Sequence, residues 1–269
     1  MKKLSARRRH PMAALVVLLL ALAATGGLYA AFAPADEAKA DDGAQSLAIE
    51  EGKRLYDVGC SSCHGAGGQG GSDGPSLVGV GAAAVDFQVG TGRMPMQQPG
   101  PQAPDKPAVY TQAEIDQLAA YIASLGPGPA QPNTSAYDPA EGNSAEGGEL
   151  FRTNCSGCHN FTGQGGALTH GKEAPGLDDV DPRYIYEALL TGPQNMPSFP
   201  DSTLPEEQKQ DIIAFLQEVN TSESATPGGF TLGGFGPVSE GLFAFTFGIG
   251  ALIAVSVWVG ARTAKARKS

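Results

Sequence analysis

Cys60-Ser61-Ser62-Cys63-His64 and Cys155-Ser156-Gly157-Cys158-His159 are two copies of one pentapeptide, and together they use every cysteine of the chain. C-x-x-C-H is the attachment signature of c-type haem. The spacing has a physical cause. Two thiols about one helical turn apart reach the two vinyl groups of one porphyrin, and the next residue places an imidazole under the iron. The expectation is two covalently bound haem c groups, one held by Cys60 and Cys63 with His64 on the iron, the other by Cys155 and Cys158 with His159 on the iron.

Other uses of paired cysteines fit less well. A four-thiolate zinc site of the ribbon type separates its pairs by about 15–20 residues, whereas 91 residues lie between Cys63 and Cys155. A thioredoxin-like dithiol needs a strand-helix context, and no βαβ pattern surrounds either pair. The chain has only four histidines, and two of them directly follow the cysteine pairs. Composition alone makes that placement rare.

Working outward from the pentapeptides reveals a duplication. At an offset of 95, Gly52, Leu55, Tyr56, Gln69, Gly70 and Gly71 match Gly147, Leu150, Phe151, Gln164, Gly165 and Gly166. Beyond these glycines the offset grows to 100, aligning Pro75 and Leu77 with Pro175 and Leu177, so an insertion falls within Leu168 to Glu173. Each half has a helical pattern at both ends. Ile49, Gly52, Leu55 and Tyr56 precede the first haem motif at helical spacing, and Leu150 with Phe151 precede the second. Thr111 and Glu114 form a capping box, followed by Ile115, Leu118, Ala119 and Ile122 on one face. In the second half Thr203 and Glu206 around Pro205 open a helix that buries Ile212, Phe215, Leu216 and Val219. The fold expected is mainly α: a first domain over 45–126, a Pro/Gly-rich linker over 127–140, a second domain over 141–222 and a Gly-rich linker over 223–240.

Charge separates the chain into compartments. Residues 11–35 carry no charged side chain, and neither do residues 241–261. The second stretch is long enough to cross about 30 Å of hydrocarbon as a transmembrane helix. Lys2, Lys3, Arg7, Arg8 and Arg9 precede the first stretch, and Arg262, Lys265, Arg267 and Lys268 follow the second. By the positive-inside rule the tails 1–10 and 262–269 are cytoplasmic and the middle is extracytoplasmic. Residues 1–35 read equally as a signal peptide, with Ala31-Phe32-Ala33 as a small-x-small cleavage site, or as an uncleaved anchor. Export agrees with haem attachment outside the cytosol. The interval 34–240 holds nine basic residues against all 28 acidic ones, a formal charge of −19. Such a surface excludes nucleic acid and suits either simple solubility or the docking of basic or oriented protein partners.

The order helix, C-x-x-C-H, Gly-rich turn, Pro-x-Leu, Met-Pro, terminal helix resembles that of a class I cytochrome c domain, here in two tandem copies. The resemblance implies that His64 and His159 are proximal ligands and that the Met of each Met-Pro is distal. Met196-Pro197 offers one candidate. Met94-Pro95-Met96 offers two: the offset of 100 selects Met96, while Gly90-x-x-x-Met94-Pro95 against Gly192-x-x-x-Met196-Pro197 selects Met94, the residue chosen here. The resemblance also implies that the Pro75 and Pro175 carbonyls accept the proximal imidazole N–H. His170, in the insertion, reads as an exposed loop residue. A His/Met pair leaves no open site for a small substrate and raises the potential of the iron, so electron relay rather than chemical conversion is expected.

Over nearly its full length the chain resembles the dihaem cytochrome c (cytochrome cc) subunit of the actinobacterial cytochrome bcc complex, a menaquinol:cytochrome c reductase. Tandem haem domains, Gly92-Arg93-Met94-Pro95-Met96 and Gly236-Pro237-Val238-Ser239-Glu240-Gly241 before the last membrane helix carry that resemblance. It implies a cytochrome b and a Rieske iron-sulfur protein as partners in the membrane, with an aa3-type oxidase downstream. It also implies electron transfer as part of a reductase, with no substrate-converting site on this chain. A stand-alone membrane-tethered dihaem carrier and a dihaem oxidoreductase are the alternatives.

Overall fold

In the computed structural model the residues described are 11–32, 37–221, 232 and 236–266. The basic tails over 1–10 and 267–269 and most of the Gly-rich linker over 223–240 lie outside them, as does Ala33 of the expected cleavage site. The helices are α1 (Pro11–Phe32), α2 (Glu37–Gly59), α3 (Ser61–His64), α4 (Ala82–Gly90), α5 (Gln112–Ser124), α6 (Ser144–Asn154), α7 (Ser156–His159), α8 (Pro182–Thr191) and α9 (Glu206–Thr221). The C-terminal helix runs from α10 (Pro237–Phe243) through a π-helical turn (Ala244–Ile249) into α11 (Gly250–Ala266).

Each repeat is built on a crossing of its first and last helices. In the first repeat Tyr56 of α2 meets Tyr121 of α5 with ring centroids 5.2 Å apart. In the second, Phe151 of α6 meets Phe215 of α9 at 5.5 Å. The crossings need glycine. A Cβ at Gly52 would collide with the Gln117 carbonyl oxygen, and one at Gly147 with that of Asp211, so the backbones approach to a distance no side chain permits. Around the first crossing Ile115, Leu118, Ala119 and Ile122 are buried, and around the second Ile212, Phe215 and Leu216 are. The sequence periodicity marked those faces, and Val219 packs at the edge of the second.

The capping box at Thr111 is formed: Glu114 Oε2 accepts from the Thr111 N–H and hydroxyl, both at 2.8 Å. Its expected counterpart is not. Pro205 C=O takes the first intrahelical bond, from Lys209 N at 3.1 Å, while Thr203 N–H turns back to Pro200 C=O at 2.8 Å. Helix α9 therefore starts after Thr203, with Pro205 just before its first residue, where the proline carbonyl opens the helix and its missing N–H costs no intrahelical bond.

Two helices went unread in the sequence. Helix α4 is almost wholly apolar and buried, with Ala83, Val85, Phe87 and Val89 inside, so it shows no stripe. Helix α8 carries recognisable signals, Asp181 accepting from Arg183 N at 2.8 Å, Pro182 in the first turn and Gly192 ending it at φ +62°. The insertion after Gly166 is a small antiparallel hairpin, β1 (Gly166–Ala167) with β2 (Glu173–Ala174), pairing Gly166 with Ala174. His170 sits exposed in the turn, as expected.

Helices α4 and α8, equivalent in the two repeats, pack on one another. Phe87 meets Tyr184 edge-on at 6.4 Å, and Asp86 and Glu187 lie between the helices with no exposed surface. The segment after Gly126 folds back on the first repeat, Pro129 C=O accepting from Ala83 N at 3.2 Å. Ala136 then enters the core of the second repeat ahead of α6.

Among the described residues the helix Pro237–Arg262 is long and apolar enough to cross a membrane, and its apolar side chains are exposed. The apolar part of α1, Met12–Gly27, is shorter.

Candidate haem-binding sites

Both pentapeptides fold the same way. His64 N donates to Cys60 C=O at 3.0 Å and His159 N to Cys155 C=O at 2.9 Å, which makes each motif a single helical turn and brings its two thiols to the same side. The chain then reverses. Gly70 N–H donates to His64 C=O at 2.8 Å and Gly165 N–H to His159 C=O at 3.0 Å. Gly70 and Gly165 have φ of +83° and +77°, and a Cβ on either would strike the backbone near Ser76 or Gly176. Those turns deliver the two prolines. His64 Nδ1 lies 2.8 Å from Pro75 C=O and His159 Nδ1 3.0 Å from Pro175 C=O.

A carbonyl can only accept, so in each ring Nδ1 carries the hydrogen and Nε2 presents its lone pair. This is the tautomer and orientation that a metal-binding imidazole needs. Burial holds the His159 pKa below its ordinary value, with the Pro175 contact opposing, and a neutral ring is the ligating form. Burial and the neighbouring cysteine push the Cys60 and Cys155 thiols up to about 11, so as free groups they are neutral thiols.

The second site has a defined cavity of about 910 Å³, walled by Cys155, Cys158, His159 and Met196 of the second repeat with Phe87 and Arg93 of the first. Its size suits a large planar cofactor, and thiols, imidazole and thioether line it together. These residues fit a haem c. In the first repeat Met94 packs against the core cluster, as Cys60 and Leu77 do. Met96 stands outside that cluster, its methyl beside Gly100.

Two lysines brace the methionine loops, and sequence reading passed over both. Lys106 Nζ donates to Pro95 C=O at 3.0 Å and to Gly92 C=O, with Arg93 C=O at 3.4 Å. Gly92, at φ +67°, lets the Lys106 carbonyl pass where a Cβ would block it. In the second repeat Lys172, from the hairpin, donates to Asn195 Oδ1 at 2.9 Å, next to Met196. Two amide clasps then join the repeats. Gln102 pairs with the Glu173 backbone at 2.8 and 2.9 Å, and Gln194 with the Ala103 backbone at 3.1 and 3.2 Å. No local pattern announces such contacts, since each joins residues 71 or 91 positions apart.

Comparison with known proteins agrees with this geometry. Residues 49–126 match the family model described as cytochrome c, and residues 142–216 match that described as cytochrome C oxidase, cbb3-type, subunit III. A protein of Corynebacterium efficiens named cytochrome bc1 complex cytochrome c subunit is 48% identical over 97% of this chain and 94% of its own length. The chain belongs to that family. Proteins of the same name from Mycobacterium tuberculosis and Corynebacterium diphtheriae are 46% and 44% identical, over 96% and 97% of this chain and 93% and 99% of their own lengths. Membership of the bc1 complex cytochrome c subunits, with two cytochrome c domains, implies covalently bound haem c and an electron-transfer role within a reductase complex that has other subunits. The apolar helix Pro237–Arg262 fits a membrane anchor for it.

Proposed function

We propose that this chain is the dihaem relay of a respiratory quinol:cytochrome c reductase, taking electrons from a Rieske iron-sulfur protein and passing them to an aa3-type oxidase, with a cytochrome b subunit as its membrane neighbour. The single observation that carries the reading is the twofold occurrence of one constellation. In each repeat a thiol pair, an imidazole fixed by a proline carbonyl and a methionine belong to the same fold.

In this reading Cys60 and Cys63 bind one haem c and Cys155 and Cys158 the other, with His64/Met94 and His159/Met196 as axial pairs. Met94 rather than Met96 is the ligand because it packs against the first-repeat core, as Cys60 does. When bound, haem would supply reversible one-electron chemistry. The residues do the rest. Pro75 and Pro175 hold each imidazole in the ligating tautomer, Lys106 and Lys172 steady the methionine loops, and the apolar walls exclude water. Domain limits of 45–126 and 141–222, haem domains on the extracytoplasmic side and cytoplasmic termini complete the reading, the acidic middle and basic ends supporting that orientation.

Solubilising membranes in mild detergent and running native electrophoresis with haem staining tests it. Co-migration of this chain with b-type haem and an iron-sulfur protein is expected. Migration alone, at the size of a single chain, would replace the complex subunit by a free membrane-tethered carrier.

A further inference from the structure

We propose that Arg93, on the first domain, is the cationic partner of a propionate of the haem seated in the second domain, so that the second haem site is completed across the domain boundary. This rests on the dihaem reading above and adds to it a residue contributed in trans between domains.

Haem c is covalently held by its vinyl edge, and its two propionates lie on the opposite edge of the macrocycle. In the second cavity Cys155 and Cys158 take the vinyl edge, while His159 and Met196 take the two faces. The first domain closes part of this cavity with Phe87, Thr91 and Gln102 and with the charged Arg93, Asp105 and Lys106, so a propionate reaching that part of the wall would meet a guanidinium.

Arg93 has the properties such a contact needs. It is half-buried, and its guanidinium lies over the Phe87 ring, 5.0 Å from the centroid. Among the described residues no carboxylate comes within ion-pair distance of it. A half-buried cation outside ion-pair distance of any carboxylate gains from one, and a guanidinium matches a carboxylate with two parallel hydrogen bonds. The neighbouring lysines are already engaged, Lys106 on the carbonyls of Gly92, Arg93 and Pro95 and Lys172 on Asn195.

The position is also fixed. Lys106 holds the Arg93 carbonyl from within the first domain, and the Gln102 and Gln194 clasps tie the following segment to the second. One loop thus serves two haems, Met94 directed into its own domain and Arg93 lining the cavity of the other. A cation beside a propionate offsets negative charge near the second iron and favours its ferrous state.

The test is a spectroelectrochemical titration of the full-length, membrane-purified protein carrying Arg93→Gln, with Arg93→Lys alongside. Met196→Leu identifies the titrating component that belongs to the second haem. At a fixed ambient potential Arg93→Gln should raise the ferric-to-ferrous ratio of that component about tenfold, which is 59 mV for a one-electron couple. Arg93→Lys should move it less in the same direction, and the component insensitive to Met196→Leu should stay in place. Selective loss of the second haem in Arg93→Gln would also support the proposal. If Arg93→Gln does not accumulate, Arg93→Lys alone decides, through a shift of the same component. An unmoved Met196-sensitive component in a protein holding both haems overturns the inference and leaves the dihaem reading intact. Haem staining that finds fewer than two haems in the unaltered protein overturns the dihaem reading itself.

Discussion

The two haem domains agree on the side of the cysteines and differ on the side of the methionines. On the first side the parts correspond one for one: Gly52 with Gly147 at the helix crossing, Gly70 with Gly165 in the turn, and Pro75 with Pro175 behind the imidazole. On the second side the first domain runs a long segment from Gly92 to Tyr110 clamped by Lys106, whereas the second uses a short turn steadied from a hairpin by Lys172. In the dihaem reading proposed above, attachment would allow little variation, because two thiols, an imidazole and a hydrogen-bonded carbonyl would have to meet one rigid macrocycle. The distal loop needs only to deliver one sulfur. It is therefore free to differ and to carry contacts between the domains.

The sharpest way to break this comparison is at the methionines. Met94→Leu and Met196→Leu keep apolar volume and remove the thioether, so each variant should lose half of the near-infrared sulfur-to-iron absorption and lower the potential of its own haem. Met96→Leu should leave both features unchanged. Loss of that absorption in Met96→Leu would make Met96 the ligand and end the correspondence of Gly90-x-x-x-Met94 with Gly192-x-x-x-Met196.

The shared side makes a prediction about stability. Gly52→Ala and Gly147→Ala each drive a Cβ into a carbonyl oxygen of the facing helix, and overpacking of this kind costs about 1–3 kcal/mol or more. Denaturant melts of the two variants should show comparable losses, each confined to its own domain. A loss at one glycine only would show that the crossings are not equivalent.

A smaller effect belongs to the interface between domains. Burial, and then Asp86, push the Glu187 carboxyl up to about 10 from an ordinary 4.5. Asp86 accepts from Gln112 Nε2 at 3.1 Å and faces Arg183 at 3.4 Å, so the neutral Glu187 completes a buried group in which it can donate to Asp86. A carboxyl with a raised pKa holds its proton in the folded state after the unfolded chain has released it. Its contribution is thus complete below about pH 4.5 and is lost as pH rises toward 10. Glu187→Gln keeps a donor without a titrating proton. It should match the unaltered protein near pH 4.5 and gain on it as pH rises toward 9, by up to about 1.4 kcal/mol per pH unit, because only the unfolded chain releases the Glu187 proton over that range. Equal pH dependence in both proteins, followed by denaturant midpoints, would place the titration elsewhere.

The cysteine side of each domain was legible in the sequence because its constraints are local. Cys60 to His64 lie in one turn, Thr111 and Glu114 in one cap, and the stripe from Ile115 to Ile122 on one helix. Helix α4 was missed because a segment that is apolar nearly throughout has no period to read. The Thr203 cap failed because a proline two residues later could begin the helix unaided. Lys106, Gln102, Gln194, Asp86 and Glu187 act across long sequence separations. Each looks like an ordinary polar residue until the fold brings its partner beside it.

The account stands most directly on the number of haems. Intact mass of the purified, detergent-denatured chain, read beside the Cys63→Ser and Cys158→Ser variants, measures it. Two haems retained through denaturation, one lost in each single variant and both in the double, is the expected result. A chain carrying one haem or none, or haem that survives in the double variant, would contradict it.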